Sequence, residues 1–485
     1  MKKAVLIVIL AISCIAISQS SNAQTAQLDR AIDSLIKSNS MDTTIGMSIG
    51  VVVRNPHTGL YIRKFYYKGE KDRTTHLPPD STTVYQIGSV TKTFTAMIMA
   101  HMLRSNMIKR NDRVQSYLSD TIRIPYWING SDTTFISVID LVTHFSGLID
   151  EPNNTSYPYT LQRMFSYIDT CHLLSKPDSL WLYSNLGFGT LATGLTYKAE
   201  RDSIEQLFTQ WITDSLGMTS TKITRTPDMI TRSAKGYIKN GANWVLADSN
   251  KSTWPAFNGA GAIRSTIKDM TRYLEFQMKM LNTTLAPLAD TMHKRIKPIQ
   301  GELNTWQGMA WAQHHLNHQP NLPWMIFKDG GTPGYNSYIA FYTDSATQSK
   351  AGVVVLTNSG TTGNYNNAAK VGNISSQILS FIYPNYISSV KQINTTIPDK
   401  FVLHQNYPNP FNPFTKIKFD LPKSSLVKVT VFNQLGKKIS ELVNQNLTAG
   451  SYETDFNAAS IPSGVYYYKI EAGSFSLTKK MLLIK

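Results

Sequence analysis

Apolar positions follow several rhythms along this chain, and the changes of rhythm mark out its parts. Lys2 and Lys3 precede the apolar run Ala4–Ile12, and small residues follow at Ser21 and Ala23. A positive start, a short apolar core and a small-residue exit predict a secretory signal peptide over 1–23, cut after Ala23. The core is shorter than the roughly 20 residues that a membrane span needs. Lipid attachment at Cys14 ranks second, because Ala11 stands where a leucine is usual. No later segment is long and apolar enough to cross a membrane, so none is expected in the mature chain.

Ile45–Val53 reads as a buried strand, and after the turn signal Asn55–Gly59 a partner strand continues through Leu60–Ile62 and Phe65–Tyr67. Beyond Gly88 the period changes. Val90, Phe94, Met97, Ile98, Met99 and Leu103 predict a helix that is apolar on most faces and therefore central. Helical stretches and turns alternate to about Leu281. Strand character returns at Met325–Phe327, Tyr338–Tyr342 and Ala351–Leu356, followed by a helix around Ala368–Phe381. Strands at both ends with helices between them predict an α/β unit over 24–385, an antiparallel sheet flanked by helices plus an all-helical region. Composition changes at Tyr383–Pro398, read as a linker over 386–400. Short alternating strands such as Val427–Val431 and Tyr466–Ile470 then predict a small all-β, Ig-like sandwich over 401–485.

With 485 residues, 42% hydrophobic and 16% charged, the chain is globular and long enough for two or three domains. The net charge of +16 is scattered, its densest patches being pairs such as Lys437-Lys438 and Lys479-Lys480. Nucleic-acid binding calls for a clustered basic stripe, so no nucleic-acid partner is expected. Of the two cysteines, Cys14 lies in the leader, which leaves Cys171 a lone thiol with no internal disulfide.

Three widely spaced motifs carry candidate chemistry. Ser89-Val90-Thr91-Lys92 places a hydroxyl and an amine on one helix face, where a lysine kept neutral can take the serine proton. Ser34, Ser265 and Ser476 begin the same spacing, but only Ser89 follows a strand-like approach, Tyr85–Gly88, into an apolar helix. Tyr183-Ser184-Asn185 offers a phenol to shuttle a proton and a carboxamide able to bond both Lys92 and a substrate amide. Two nearby ammonium groups would pull the Tyr183 phenol pKa down. Lys328-Asp329-Gly330-Gly331, directly after Met325–Phe327, has small residues along which a substrate can lie. The Gly331 N–H, with that of Ser89, can hold an oxyanion.

In order and context this set resembles the penicillin-recognising serine hydrolases, on the class C β-lactamase, serine carboxypeptidase and esterase branch. The segments Tyr85–Ala96, Leu141–Leu148 and Gly259–Thr266 carry the resemblance further, and it runs from about Leu28 to Phe381. It implies a β-lactamase/transpeptidase-like fold and a covalent serine hydrolase acting on a small-molecule or peptide-like ester or amide. Ser89, Lys92 and Tyr183 would be catalytic; Asn185, Lys328, Asp329, Gly330 and Gly331 would bind substrate, with no metal or organic cofactor. A non-catalytic penicillin-binding-like receptor or surface-binding protein is the alternative. His144 is structural in the look-alike segment. The cluster His314-His315-Leu316-Asn317-His318 lacks a carboxylate and reads as a polar loop rather than a metal site, and Cys171 has no motif around it.

One departure stands out: where a hydroxyl residue usually follows the lysine, this chain has Asp329. An ionised aspartate cannot donate a hydrogen bond and repels a substrate carboxylate. Neutral esters, or substrates with a free amine, are expected to fit better than β-lactams. Finally, the segments Phe401–Pro413, Leu435–Lys438, Leu447–Gly450, Ser463–Tyr468 and Lys479–Lys485 resemble the type A C-terminal sorting domain of the type IX secretion system. That implies the secretion machinery as partner, passage through the periplasm and outer membrane, and a secreted or cell-surface location.

Overall fold

The computed structural model describes residues 25–39, 41, 44–55, 60–152, 158–247, 254–315, 323–343, 349–360, 367–383, 390–394, 396–458 and 461–484. The leader and Cys14 lie outside the described residues.

A helix over 25–38 (α1) leads into two strands, β1 (Met47–Asn55) and β2 (Leu60–Lys68). The main sheet is completed by β3 (Lys297–Pro298), β4 (Thr305–Gln307), β5 (Ala312–His314), β6 (Met325–Thr332), β7 (Tyr335–Thr343) and β8 (Lys350–Thr357). Their order across the sheet is β2-β1-β8-β7-β6-β5-β4-β3, every pair antiparallel. Side chains alternate between faces. Ile49, Val51, Val53, Val353 and Val355 pack with α1 and with the helix Asn367–Ile382, which is the one expected around Ala368–Phe381. Val52, Val354 and Leu356 join the larger core under the helical region. On that face a Cβ at Gly50 would collide with Thr271, and one at Gly352 would lie 2.7 Å from Leu274. Bare backbone therefore lets the helix Ile267–Gln277 settle directly on the sheet.

Two further helices position the site: α2 (Thr91–Arg104) and α3 (Asn185–Lys198). The α2 sequence holds two alanines and three methionines, strong helix formers, and its residues from Thr91 to Ala100 are all buried. Ser184 caps α3, its Oγ accepting from Gly187 N–H at 2.8 Å while donating to the Ile149 carbonyl at 2.6 Å.

The C-terminal part is two four-stranded antiparallel sheets around one core that includes Phe419, Val429, Val431, Tyr468 and Met481. Tyr468 Oη donates to the His404 carbonyl at 2.8 Å and accepts from Asn406 N–H at 2.8 Å. The residues read as a linker over 386–400 are not all connector. Val390–Asn394 forms an edge strand on Gly450–Asn457 and buries Val390 in the sandwich core. A five-residue polar edge strand has too little apolar alternation to show in sequence. Among the described residues, no helix is long and apolar enough to cross a membrane.

Candidate active site

Ser89 sits in a single 3-10 turn, Gly88–Val90, that feeds α2. Backbone N–H groups at such a helix start lack partners within the helix. Gly88 has φ 49°, which an L side chain resists, and a Cβ there would lie 2.7 Å from the Gly331 backbone nitrogen. A Cβ at Gly330 would collide with the Ile87 carbonyl and sit 3.0 Å from Ser89 N. The nucleophile turn and β6 thus meet through backbone alone. This corrects the expectation that Lys328–Gly331 follows the strand: β6 runs on to Thr332, because the turn needs a flat, side-chain-free partner.

Lys92 is fully buried, and its Nζ lies 3.1 Å from Ser89 Oγ, 2.5 Å from Asn185 Oδ1 and 2.8 Å from the Ala260 carbonyl. Burial, reinforced by the Lys328 charge, holds its pKa well below the usual lysine range, which favours the neutral amine. The carboxamide oxygen and the carbonyl can only accept, so they take both N–H bonds of that amine. Lys92 Nζ also donates to Ser89 Oγ at 3.1 Å, and in the neutral form its lone pair can instead take up the Ser89 proton. Asn185 is oriented from its other end, where Nδ2 donates to Glu151 Oε1 at 2.8 Å and the backbone N–H to Asp150 Oδ1 at 3.0 Å.

Tyr183 Oη is 2.5 Å from Ser89 Oγ. Its ring centroid lies 4.8 Å from Lys92 Nζ and 5.6 Å from Lys328 Nζ. The expected lowering of its pKa does not occur. Burial pushes the phenol up, the bond to Ser89 opposes this, and Asp329, Asp150 and Glu151 add to the rise. Counting the two amines leaves out desolvation, which is the largest cause here.

Lys328 is 8% exposed and is engaged by its neighbour, donating to Asp329 Oδ1 at 2.7 Å and to the Asp329 carbonyl at 2.9 Å. Asp329 itself is 61% exposed, and the Lys328 ammonium holds its carboxyl below the usual range, so it is ionised. Residues Ser89, Asn185 and Gly331 line a cleft of about 190 Å³ whose other walls include Glu151, Trp254 and Phe257. Tyr183, Lys328 and Asp329 line a second hollow with Trp181, Glu302 and His314.

His144 sits in the scaffold behind the site. Its Nδ1 accepts from Ser184 N–H at 3.1 Å, its carbonyl accepts from Leu182 N–H at 2.8 Å, and its ring lies 4.5 Å from that of Tyr183. Burial, with the Lys328 charge behind it, holds its pKa well below the ordinary histidine value. His314 bonds Thr305 Oγ1 at 2.9 Å, while Leu316–His318 lie outside the described residues. Burial pushes the Cys171 thiol up to about 11, the opposite of a nucleophile's need. Sequence reasoning missed Asp150, Glu151, Trp254 and Phe257. The first two directly follow the Leu141–Leu148 segment with only Ile149 between, which was the available signal.

Residues 32–372 match the Beta-lactamase family, and residues 405–485 match the Secretion system C-terminal sorting domain. The D-alanyl-D-alanine-carboxypeptidase/endopeptidase AmpH of Escherichia coli is 27% identical over 317 residues, 61% of this chain and 75% of that protein. A beta-lactamase of Lysobacter lactamgenus is 23% identical over 366 residues, covering 70% of this chain and 87% of the relative. Among solved structures, a beta-lactamase/D-alanine carboxypeptidase from Yersinia pestis aligns at TM-score 0.60 and 19% identity, over 74% of this chain and 99% of that one. A class C beta lactamase from Rhodobacter sphaeroides aligns at 0.59 and 21%, over 73% and 99%. These structures share the fold of the sheet-and-helix unit.

Proposed function

Because this chain belongs to the beta-lactamase family of serine hydrolases and ends in a type IX sorting domain, we propose that it is a secreted acyl-enzyme hydrolase in which Ser89 is the nucleophile and Lys92 its base. The sorting domain directs it through the type IX system to the cell surface or the extracellular space. The observation that carries the catalytic reading is the buried contact set of Ser89 Oγ with Lys92 Nζ at 3.1 Å and Tyr183 Oη at 2.5 Å.

As Ser89 Oγ bonds to the carbonyl carbon of an ester or amide, its proton passes to the Lys92 amine. The oxyanion that forms is met by the N–H groups of Ser89 and Gly331. Tyr183, still protonated, lends its proton to the leaving oxygen or nitrogen as the carbonyl–heteroatom bond breaks, and is reprotonated from the Lys92 ammonium. Water then attacks the acyl-enzyme by the same path in reverse. Asn185 and Lys328 hold the substrate, and the Lys328 ammonium also faces the ring of Tyr183.

The substrate is an ester or amide, neutral or with a free amine, rather than one whose leaving side bears a carboxylate. Asp329 cancels most of the attraction of Lys328 and supplies no hydroxyl donor. Intact-mass spectrometry after incubation with a fluorophosphonate is the direct test. An adduct on Ser89 in the wild type that is absent from Ser89→Ala is expected; no adduct would overturn the enzymatic reading. Kinetics with a cephalosporin, an aryl ester and a D-amino-acid amide then rank the substrates, and fast turnover of the cephalosporin alone would refute the role given to Asp329.

A further inference from the structure

Lys92 must become an ammonium ion when it takes the Ser89 proton, and it does so with no exposure to water. The three atoms that its Nζ bonds, Asn185 Oδ1, the Ala260 carbonyl oxygen and Ser89 Oγ, all belong to uncharged groups. Two aromatic rings complete its surroundings. The Tyr183 ring centroid lies 4.8 Å from Nζ and that of Phe188 5.5 Å. Phe188 stands one helical turn after Asn185 on α3, so one face of that helix presents first a carboxamide oxygen and then a ring to the same amine. Phe188 is fully buried, and the His144 ring packs against both aromatics, 4.5 Å from Tyr183 and 4.9 Å from Phe188, which fixes their spacing. An aromatic face carries partial negative charge and attracts an ammonium within about 6 Å, more strongly where water is excluded. A neutral amine gains far less from the same face. An interaction that grows as the proton arrives lowers the barrier, because it is stronger at the transition state than in the resting enzyme.

Resting on the hydrolase reading above, we infer that Phe188 is a positioning residue that acts through Lys92: its ring face holds the ammonium formed during acylation and so speeds the attack of Ser89. The charged and titratable groups around Lys92 are Lys328 and Asp329 on β6, Asp150 and Glu151 after the Leu141–Leu148 segment, and Tyr183 and His144. Lys328 opposes a charge on Lys92, and the three carboxylates favour one without pairing with it. A carboxylate in contact with Nζ would keep the lysine protonated at rest and useless as a base. A ring stabilises the charge more modestly, so it supports the ammonium once formed and leaves the resting amine free to accept a proton.

The test drains the ring of its negative face while keeping its shape. Monofluorinated and trifluorinated phenylalanines are installed singly at position 188 of the full chain, and kcat/KM on an aryl ester is followed against pH. Fluorine weakens the attraction for an ammonium, so the Lys92 pKa should fall across the series. The acidic limb of the profile should then move to lower pH, by about half a unit to one unit in all. The plateau of kcat/KM, and the rate of labelling by an alkyl fluorophosphonate, should fall about fivefold over the same steps. Phe188→Leu, which removes the face altogether, should lie at or beyond the end of the series. A ring needed only to fill the core would leave limb and plateau in place across the fluorinated proteins, and that outcome overturns the inference, as does a limb that moves to higher pH. If the wild type neither hydrolyses the ester nor takes up the fluorophosphonate, the hydrolase reading itself falls, and this inference with it.

Discussion

Lys92 in the catalytic unit is handled in the opposite way from the paired lysines of the C-terminal sandwich. In the C-terminal sandwich, Lys416 meets Glu453 at 2.5 Å and Lys438 meets Glu441 at 2.7 Å, with about half of each lysine side chain left in water. In the catalytic unit, Lys92 has no exposure and no carboxylate paired to it, only an amide oxygen, a carbonyl and a hydroxyl. The first arrangement keeps a lysine charged at little benefit to stability; the second favours the neutral form inside a core. Function follows the unfavourable burial, because a neutral amine is a base and a solvated ammonium is not.

The contrast can be broken most severely at Lys92. Lys92→Ala is expected to lower kcat/KM on an aryl ester by about a thousandfold or more, with the fold retained by circular dichroism. In the wild type, kcat/KM should rise with pH as Lys92 loses its proton and level off well below the ordinary lysine range of about 10.4. Stability should move with it. The unfolded chain binds a proton at Lys92 that the folded chain does not, so between the depressed folded value and the unfolded value stability climbs with pH and falls as pH drops. Denaturant melts of Lys92→Met against pH should lack that part of the slope.

Tyr183→Phe comes next, with a loss of about a hundredfold in kcat/KM on an amide and a smaller one on an activated aryl ester, whose leaving group needs less proton. Equal losses on both would deny Tyr183 its proton-transfer role. Asp329→Thr sharpens the comparison rather than breaking it, since it frees Lys328 and restores a donor. The ratio of kcat/KM for a substrate with a carboxylate on its leaving side to that for a neutral ester should rise about tenfold. The smallest effect is expected in the sandwich: Glu453→Gln should change unfolding free energy by no more than about 1 kcal/mol, read as a small shift in denaturant midpoint.

The legible parts of the chain were those with local rhythm or a compact motif. The strand at Met47–Asn55 and helix α2 announce themselves through runs of apolar residues, and Ser89 with Lys92 through a spacing that a helix folds onto one face. Tyr183 and Asn185 were legible as a compact Tyr-Ser-Asn motif, which the structure sets at the start of α3 on either side of its capping serine. Glu151 was not, because its meaning comes from a ring of groups contributed by distant segments, Asn185 and Trp254 among them. The direction of the Tyr183 shift was misread for a related reason: charges can be counted along a sequence, but the exclusion of water cannot. The strand Val390–Asn394 was hidden because an exposed edge needs few apolar residues.

The side-chain-free seam between the nucleophile turn and β6 also says where this cleft will accept alteration. Gly88 and Gly330 are wedged against facing backbone, so even a methyl there would prise the two walls apart. At Gly331 the first neighbour of an added carbon is Asn336 Oδ1 at 3.3 Å, a side-chain atom that need yield only a few tenths of an ångström. Anyone wishing to graft a new hydroxyl beside the acyl group has one open address among these glycines, and it is the last of the three.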